Sequence, residues 1–502
     1  MGSTAPAQRE TTMRYLLAID QGTTSTTVLI LDETLSVCGS SSAEFEQVYP
    51  KPEYVEHRPN DIWQSVLDAI GGAIAKARID ANNIAAIGIT NQRETTILWD
   101  RKTGDPVYNA IVWQCRRTTP YCNQLRQNGF ENEIKARTGL LCDPYFSATK
   151  IRWILDELHL QQKAVDGDLC FGNIDTYLLW QLTGGTVHAT EPSNASRTLL
   201  MNLETLNWDE SLLKIFDIPA QILPQIHDSN AIFGTTKGVP GLPDGIPISG
   251  ILGDQQAALF GQCCFETGQA KCTFGTGAFL LLNTGDKIVR SEHGLISTCA
   301  WKMGDNRRYA IEGSAFVAGA LVQWLRDGLG IIKTASEIEA LAQSVPDDAG
   351  VILVPALTGL GAPHWNPNAH GIITGITRAT TAAHIARAAL MGISHQNTDL
   401  LDAMVQDLKK PLESLKVDGG ASVNNLLMQM QSDLLQTRLI RPQNLQTTAL
   451  GAAMCAALGT GMFKNLNDLR KAWCADAEFI PRMDAEHRNA ARHAWKIAVQ
   501  KA

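Results

Sequence analysis

The chain has 502 residues, 44% hydrophobic and 19% charged, enough to bury large cores and long enough for two domains. Forty-three basic against 51 acidic residues leave a net charge of −8, which argues against a nucleic-acid binder while leaving small phosphorylated ligands open. Eleven cysteines, an odd number with no C-x-x-C pair, read as reduced thiols and argue against a zinc ribbon or a thioredoxin-type site.

Residues 1–12 are small and polar and read as a disordered tail, not a secretory signal. No run approaches the ~20 apolar residues a membrane span needs. Residues 15–19 are predicted as a buried strand, 20–24 (Asp20-Gln21-Gly22-Thr23-Thr24) as a tight turn, and 26–31 as the returning strand. In such a turn glycine admits close backbone approach, and successive N–H groups form a concave anion site. A plain hairpin with self-capping threonines fits the same residues. Asp20 ends a buried strand, where a carboxylate needs a partner or a cation, and hydrated Mg²⁺ suits it.

Apolar residues at 62, 63, 66, 67, 70 and 74 predict a helix with Asn60 or Asp61 as its N-cap. Residues 84–90 are mostly apolar and run straight into Asn91-Gln92-Arg93-Glu94. Adjacent strand residues point to opposite faces, so if Arg93 and Glu94 serve one ligand the chain must leave extended geometry there. Arginine offers a fork of donors and glutamate only acceptors, a combination that can hold two vicinal hydroxyls. The plainer reading is a surface ion pair of little worth. Trp113, Tyr145 and Phe279 each read as core, or together as the walls of a small pocket. Asp254 and Gln255 interrupt the apolar run 248–261, either as a helix cap or as a hydroxyl-binding pair.

From about residue 263 the plan repeats: strand, Gly-Thr-Gly at 275–277, strand. This is consistent with two α/β domains of related design, or with chance among 41 glycines. Residues 382–405 read as a long helix, 415–425 as a strand and glycine-rich turn before a helix, and 447–461 as a closely packed helix rich in small residues. P-loop, Rossmann and protein-kinase fingerprints are absent.

The pieces "DQGTTS", "ITNQRETTILWD", "NAIVWQCRRT", "DPYFSATK", "NASRT", "PISGILGDQQAALFGQ", "TFGTGAF", "VAGALVQWLRDGLG", "TGLGAPHW" and "VDGGASVNN" occur in one order from Met13 onwards. In this the chain closely resembles the FGGY carbohydrate kinases of the actin-like ATPase superfamily, in particular those that phosphorylate glycerol. The resemblance implies an α/β fold of two ribonuclease-H-like (actin-like ATPase) domains with a central cleft. An N-terminal domain at 13–262 would hold the glycerol site and the first phosphate hairpin, and a C-terminal domain at 263–502 the nucleotide site. The implied reaction converts ATP and glycerol to ADP and sn-glycerol 3-phosphate, the first step of glycerol catabolism.

The same resemblance implies a glycerol pocket of Arg93, Glu94, Trp113, Tyr145, Asp254, Gln255 and Phe279, with Asp254 as the catalytic base. It implies nucleotide contacts at Thr23, Thr24, Ser25, Thr276, Gly319, Gln323, Gly420 and Asn424, and Mg²⁺ at Asp20. Glycerol and ATP or ADP would be the partners, with no nucleic acid and no membrane insertion, in a cytoplasmic homo-oligomer (dimer or tetramer). One departure is Thr27, where the family usually has arginine, which implies modestly weaker nucleotide binding. The loop 235–247 also lacks arginine, so no phosphorylated effector is expected there. Rival readings are a kinase for another polyol or ketose, and a nucleotide-switched binding protein on the same fold.

Overall fold

The computed structural model describes residues 13–366 and 368–502, so the tail expected at 1–12 lies outside the described residues. The first hairpin forms as β1 (Tyr15–Gln21) and β2 (Ser25–Leu31), followed by β3 (Val37–Glu44). Its turn is shorter than the sequence suggests, and Asp20 lies within β1 opposite Thr27. Helix α1 (Pro59–Ala77) starts one residue before the expected caps: Arg58 is the N-cap and Pro59 the first helical residue. Proline's fixed φ suits that position, which leaves Asn60 and Asp61 inside the helix.

Strand β4 (Ile84–Asn91) runs parallel to β1, α2 spans Ser147–Glu157, and β5 (Gly234–Thr235) and β6 (Pro247–Gly253) complete a six-stranded sheet in the order β5-β6-β4-β1-β2-β3. Helix α3 (Asp254–Gly261) follows β6 directly. The second hairpin is β7 (Ala270–Phe274) and β8 (Ala278–Gly285), joined by β9 (Ile296–Met303) and β10 (Asn306–Ala315). After α4 (Gly319–Asp327) and α5 (Ala382–Leu408) come β11 (Ser414–Asp418), α6 (Asn425–Leu435), β12 (Arg438–Pro442), α7 (Thr447–Gly459) and β13 (Ala475–Phe479). The second sheet has the order β9-β10-β8-β7-β11-β12-β13.

Both sheets contain one motif: three antiparallel strands, consecutive in the first sheet and skipping β9 in the second, whose first strand pairs on its other side with a parallel strand, which pairs with a second parallel strand. In the first sheet these are β3-β2-β1-β4-β6, and in the second β10-β8-β7-β11-β12. The repeated Gly-Thr turns therefore sit in a repeated topology.

The apolar runs of β1 and β4 are buried on both faces. Leu17 and Ile19 meet α1 in one core, while Leu16 and Ala18 meet α7 in another. That second core also takes in Leu281, Ala300 and Ala310 of the second sheet, so it joins the two halves. A third core lies between the second sheet and α5 and α6, around Leu280, Ile393, Val417 and Leu427. Helix α7 comes from the second half of the chain but lies on the first sheet, and small residues allow it to. A Cβ on Gly88 would stand 2.2 Å from the Ala452 carbonyl oxygen, and one on Gly451 1.9 Å from that of Ala257 on α3. All eleven cysteines are free thiols, and Cys263 and Cys264 are buried. Among the described residues no helix is long and apolar enough to cross a membrane.

This packing makes a matched pair of substitutions informative. Gly451→Ala drives a methyl into backbone and is expected to destabilise by about 1–3 kcal/mol. Gly71→Ala, on an exposed part of α1 with nothing within 4 Å, is expected to be neutral or to stabilise by up to about 1 kcal/mol. Thermal melts of the two variants check this, and equal shifts would contradict the close contact.

Candidate active site

Strand β4 stops at Asn91, and three residues on the backbone turns left-handed: Glu94 has φ of 60°. That conformation is uncommon for a residue with a side chain. It brings Arg93 and Glu94 toward one volume, with Arg93 Nε 3.9 Å from Glu94 Oε1. Both side chains are buried, at 3% and 1% exposure, which rules out the surface ion pair. Lys150 on α2 secures the corner by donating from Nζ to the carbonyl oxygens of Tyr145 at 2.5 Å and Glu94 at 3.3 Å. Burial pushes its ammonium down to about 8.

Arg93 is held from the other sheet. Its Nη1 and Nη2 donate to the two oxygens of Glu312 on β10 at 2.5 and 2.9 Å, and Nη1 also reaches Gln256 Oε1 at 3.2 Å. Arg197 completes a buried square, donating from Nε to Glu94 Oε1 at 2.6 Å and from Nη2 to Glu312 Oε1 at 3.1 Å. Burial alone would push the Glu312 carboxyl up, but Arg197 and Arg93 beside it bring it down to about 2. Burial outweighs the same arginines at Glu94, whose carboxyl is raised.

Asp254 stands at the open edge of this square, its side chain 30% exposed and Oδ1 3.0 Å from Arg93 Nε. The contact is not aligned as a hydrogen bond, so the buried Nε–H has no acceptor. Asp254 is not the N-cap of α3. Gly253 takes that position, and Asp254 is the first helical residue. Its Oδ1 accepts the Gln255 backbone N–H at 2.7 Å and its Oδ2 the Gln255 Nε2–H at 3.3 Å.

The aromatic residues gather beside this group. Trp113 and Tyr145 meet edge to face with centroids 5.7 Å apart, and the Arg197 guanidinium lies 5.7 Å from the Tyr145 ring. Trp113 Nε1 donates to Thr23 Oγ1 at 2.9 Å, which ties the first hairpin to the aromatic wall. The Phe279 carbonyl accepts from Lys271, which also contacts Gln255. Gln92, next to Arg93, donates to the Gly22 carbonyl at 3.0 Å and to Gln21 Oε1 at 3.0 Å, fixing the hairpin turn from behind. Asp20 has no ion pair among the described residues. Burial first, then the charge of Asp254, push its carboxyl up to about 7. Thr27, opposite it in register, spends its hydroxyl on Ser42 at 2.8 Å.

Of the eight nucleotide residues expected from sequence, Thr276, Gly319, Gln323, Gly420 and Asn424 line one hollow of about 330 Å³. Thr23, Thr24 and Ser25 lie outside it, on the first hairpin. The hollow is shaped by backbone proximity: the Ala318 and Gly319 N–H groups at the start of α4 donate to the Thr276 and Gly275 carbonyls at 2.8 and 3.0 Å. A Cβ on Gly420 would meet nothing within 4 Å, so the turn after β11 faces open space. Asn424 also serves as the cap of α6, accepting from the Leu427 N–H. A wider hollow of about 530 Å³ around Arg117, Tyr121 and Arg152 shares no residue with either cluster.

Sequence reasoning did not single out Glu312, Arg197, Gln256, Lys150 or Lys271, nor Ser336, Glu339 and Val423 in the hollow. A signal existed for two of them. Lys271 is the one charge in its strand, and Glu312 stands alone in the apolar stretch 309–315 of a strand that carries Arg307 and Arg308 near its start, the same oddity that drew attention to Arg93 and Glu94.

Comparison with known proteins identifies the family and the fold. The profile of the FGGY family of carbohydrate kinases, N-terminal domain, matches residues 15–261, and that of the C-terminal domain matches residues 270–460. The chain is 53% identical to a glycerol kinase of Bdellovibrio bacteriovorus, over 97% of this chain and 99% of that protein. It is 52% identical to glycerol kinase 2 of Sulfolobus acidocaldarius, over 97% and 98%. The solved structure of Plasmodium falciparum glycerol kinase with ADP superposes with a TM-score of 0.92 at 39% identity, covering 97% of this chain and 98% of that one. A gluconate kinase from Lactobacillus acidophilus shares the fold at 22% identity and a TM-score of 0.84. The chain belongs to the FGGY family of carbohydrate kinases.

Proposed function

We propose that this chain transfers the γ-phosphoryl group of ATP to glycerol, giving ADP and sn-glycerol 3-phosphate. One observation carries the reading: a buried arginine is fixed by two carboxylate bonds on one edge, while its Nε–H is unpaired, with Nε 3.0 Å from the carboxylate of Asp254. A hydroxyl entering there accepts from Arg93 Nε and donates to Asp254, the arrangement a phosphoryl acceptor needs. Glu94, with one oxygen held by Arg197, offers the other to a second hydroxyl. Trp113, Tyr145 and Phe279 would cover the carbon skeleton, which favours a short triol over a longer ketose.

Phosphoryl transfer has a loose transition state, so positioning and charge stabilisation matter most. The nucleotide would lie across Thr276, Gly319, Gln323, Gly420 and Asn424, with Thr23, Thr24 and Ser25 on the opposite side of its phosphates. Asp254 would take the proton of the attacking hydroxyl as phosphorus moves. The half-buried Asp20, beside a second carboxylate and without a cation among the described residues, fits a hydrated Mg²⁺, an ion that takes few protein ligands and keeps its waters. When bound it supplies positive charge against the phosphates. A division near residue 262, cytoplasmic location and homo-oligomeric assembly complete the proposal.

Water is also an acceptor, and closure of the two halves around bound glycerol would exclude it. ADP release by the purified protein, with and without glycerol, tests the function directly. It is expected to rise steeply with glycerol and far less with erythritol or xylulose. Asp254→Asn is expected to cut kcat by at least about 100-fold while leaving ATP binding intact. Near-normal turnover would remove the aspartate from this role. Glu312→Gln frees Arg93 from its anchor and is expected to raise the glycerol KM about 10- to 100-fold, with a much smaller change for ATP. Equal effects on both substrates in steady-state kinetics would show that Glu312 only holds the fold.

A further inference from the structure

Lys271 is the second residue of β7, is 0% exposed, and holds a charge where an apolar side chain would pack at less expense of solvation. Its Nζ donates to three acceptors: Gln255 Oε1, Thr273 Oγ1 at 2.9 Å and the Phe279 carbonyl at 3.3 Å. Two of these belong to residues expected to line the glycerol pocket. The third, Thr273, sits two residues before the Gly-Thr-Gly turn.

An amide side chain can face either way, and its orientation is set by its partners. An ammonium has donors only, so Lys271 requires that Gln255 turn its oxygen inward. The amide nitrogen is thereby turned toward Asp254, where it donates to Oδ2 at 3.3 Å. The Gln255 backbone N–H holds Oδ1. Both oxygens of Asp254 are thus held by donors from one residue, and Lys271 determines which way one of them points.

We infer that Lys271 is a positioning residue for phosphoryl transfer: it locks the Gln255 amide so that Asp254 is held in the orientation that receives the acceptor's proton. It acts across the two halves of the molecule, from β7 in the second sheet to α3 behind the first. Burial lowers its ammonium below the ordinary lysine range, and Asp418, Asp254 and Glu312 nearby favour the proton that the three contacts use. The inference rests on the reading of Asp254 as base given above.

Steady-state kinetics of four proteins test it. Lys271→Met keeps an unbranched side chain as far as the ε position and removes the donor. It is expected to lower kcat about 10- to 100-fold with ATP affinity unchanged. Gln255→Glu keeps an acceptor for Lys271 but offers Asp254 no amide N–H, and a comparable fall in kcat is expected. In the double variant Lys271→Met/Gln255→Glu the losses should not multiply, because both act on one contact. If Lys271→Met does not fold, Gln255→Glu carries the test alone. A kcat within about twofold of the parent in either single variant, or multiplying losses, overturns the inference while the parent's glycerol-dependent ADP release still stands. Absence of that release from the parent would overturn the underlying reading instead.

Discussion

The bridge from Glu312 to Arg93 and Arg197 is the interaction on which the candidate site depends. A carboxylate from the second sheet lies between two guanidinium groups from the first half of the chain, all three nearly inaccessible to water. Buried charge is costly unless neutralised and fully bonded, and this bridge meets both conditions for Glu312. It also gives Arg93 one allowed pose: with both terminal nitrogens engaged, only Nε remains to face the opening at Asp254. A lysine in place of Arg93 could not be held by two parallel bonds and still present a third donor in a fixed direction.

The two halves meet closely enough for that bridge because glycine and alanine line the contact between α7, α3 and the first sheet. Bulkier residues at Gly88 or Gly451 would push the layers apart, and Glu312 would lose its reach. The polar bridge and the small-residue interface are therefore one design at two scales. The interface sets the spacing, and the bridge uses that spacing to aim a donor. Lys271 and Gln255 repeat the arrangement nearby, again with one group from each half.

Much of the fold was legible in the sequence because it is written in local signals. Alternate residues of β1 serve two cores, as its unbroken apolar run implies, and α5 and α7 lie close to the stretches their spacing marks. The left-handed turn at Glu94 follows from asking how two adjacent charges can share a ligand. Caps were less legible: Pro59 displaced Asn60 and Asp61, and Gly253 displaced Asp254, because backbone preference outweighed side-chain capping in both places. The partners of Arg93 were not legible. Glu312 is 219 residues away and Arg197 is 103 residues from Glu94, and nothing local in a single sequence pairs such positions. Lys271 shows the same limit, since its strand reads as ordinary apart from one charge.

The placement of charge in the site is uneven. Arg93, Arg197, Lys150 and Lys271 are four cations. Glu94, Glu312, Asp254 and Asp20 are four carboxylates. The first three carboxylates each have a cation within reach or a path of donors to one, whereas Asp20 has neither. Its carboxyl is accordingly pushed up to about 7, mainly by burial. A triphosphate brought against this unpaired carboxylate would add several negative charges beside it, and Coulomb repulsion between poorly solvated charges is strong. Thr27 cannot offset it, since it carries no charge and its hydroxyl is engaged by Ser42. On the proposed function the nucleotide would therefore arrive together with a cation, and Asp20 would be the group to receive it.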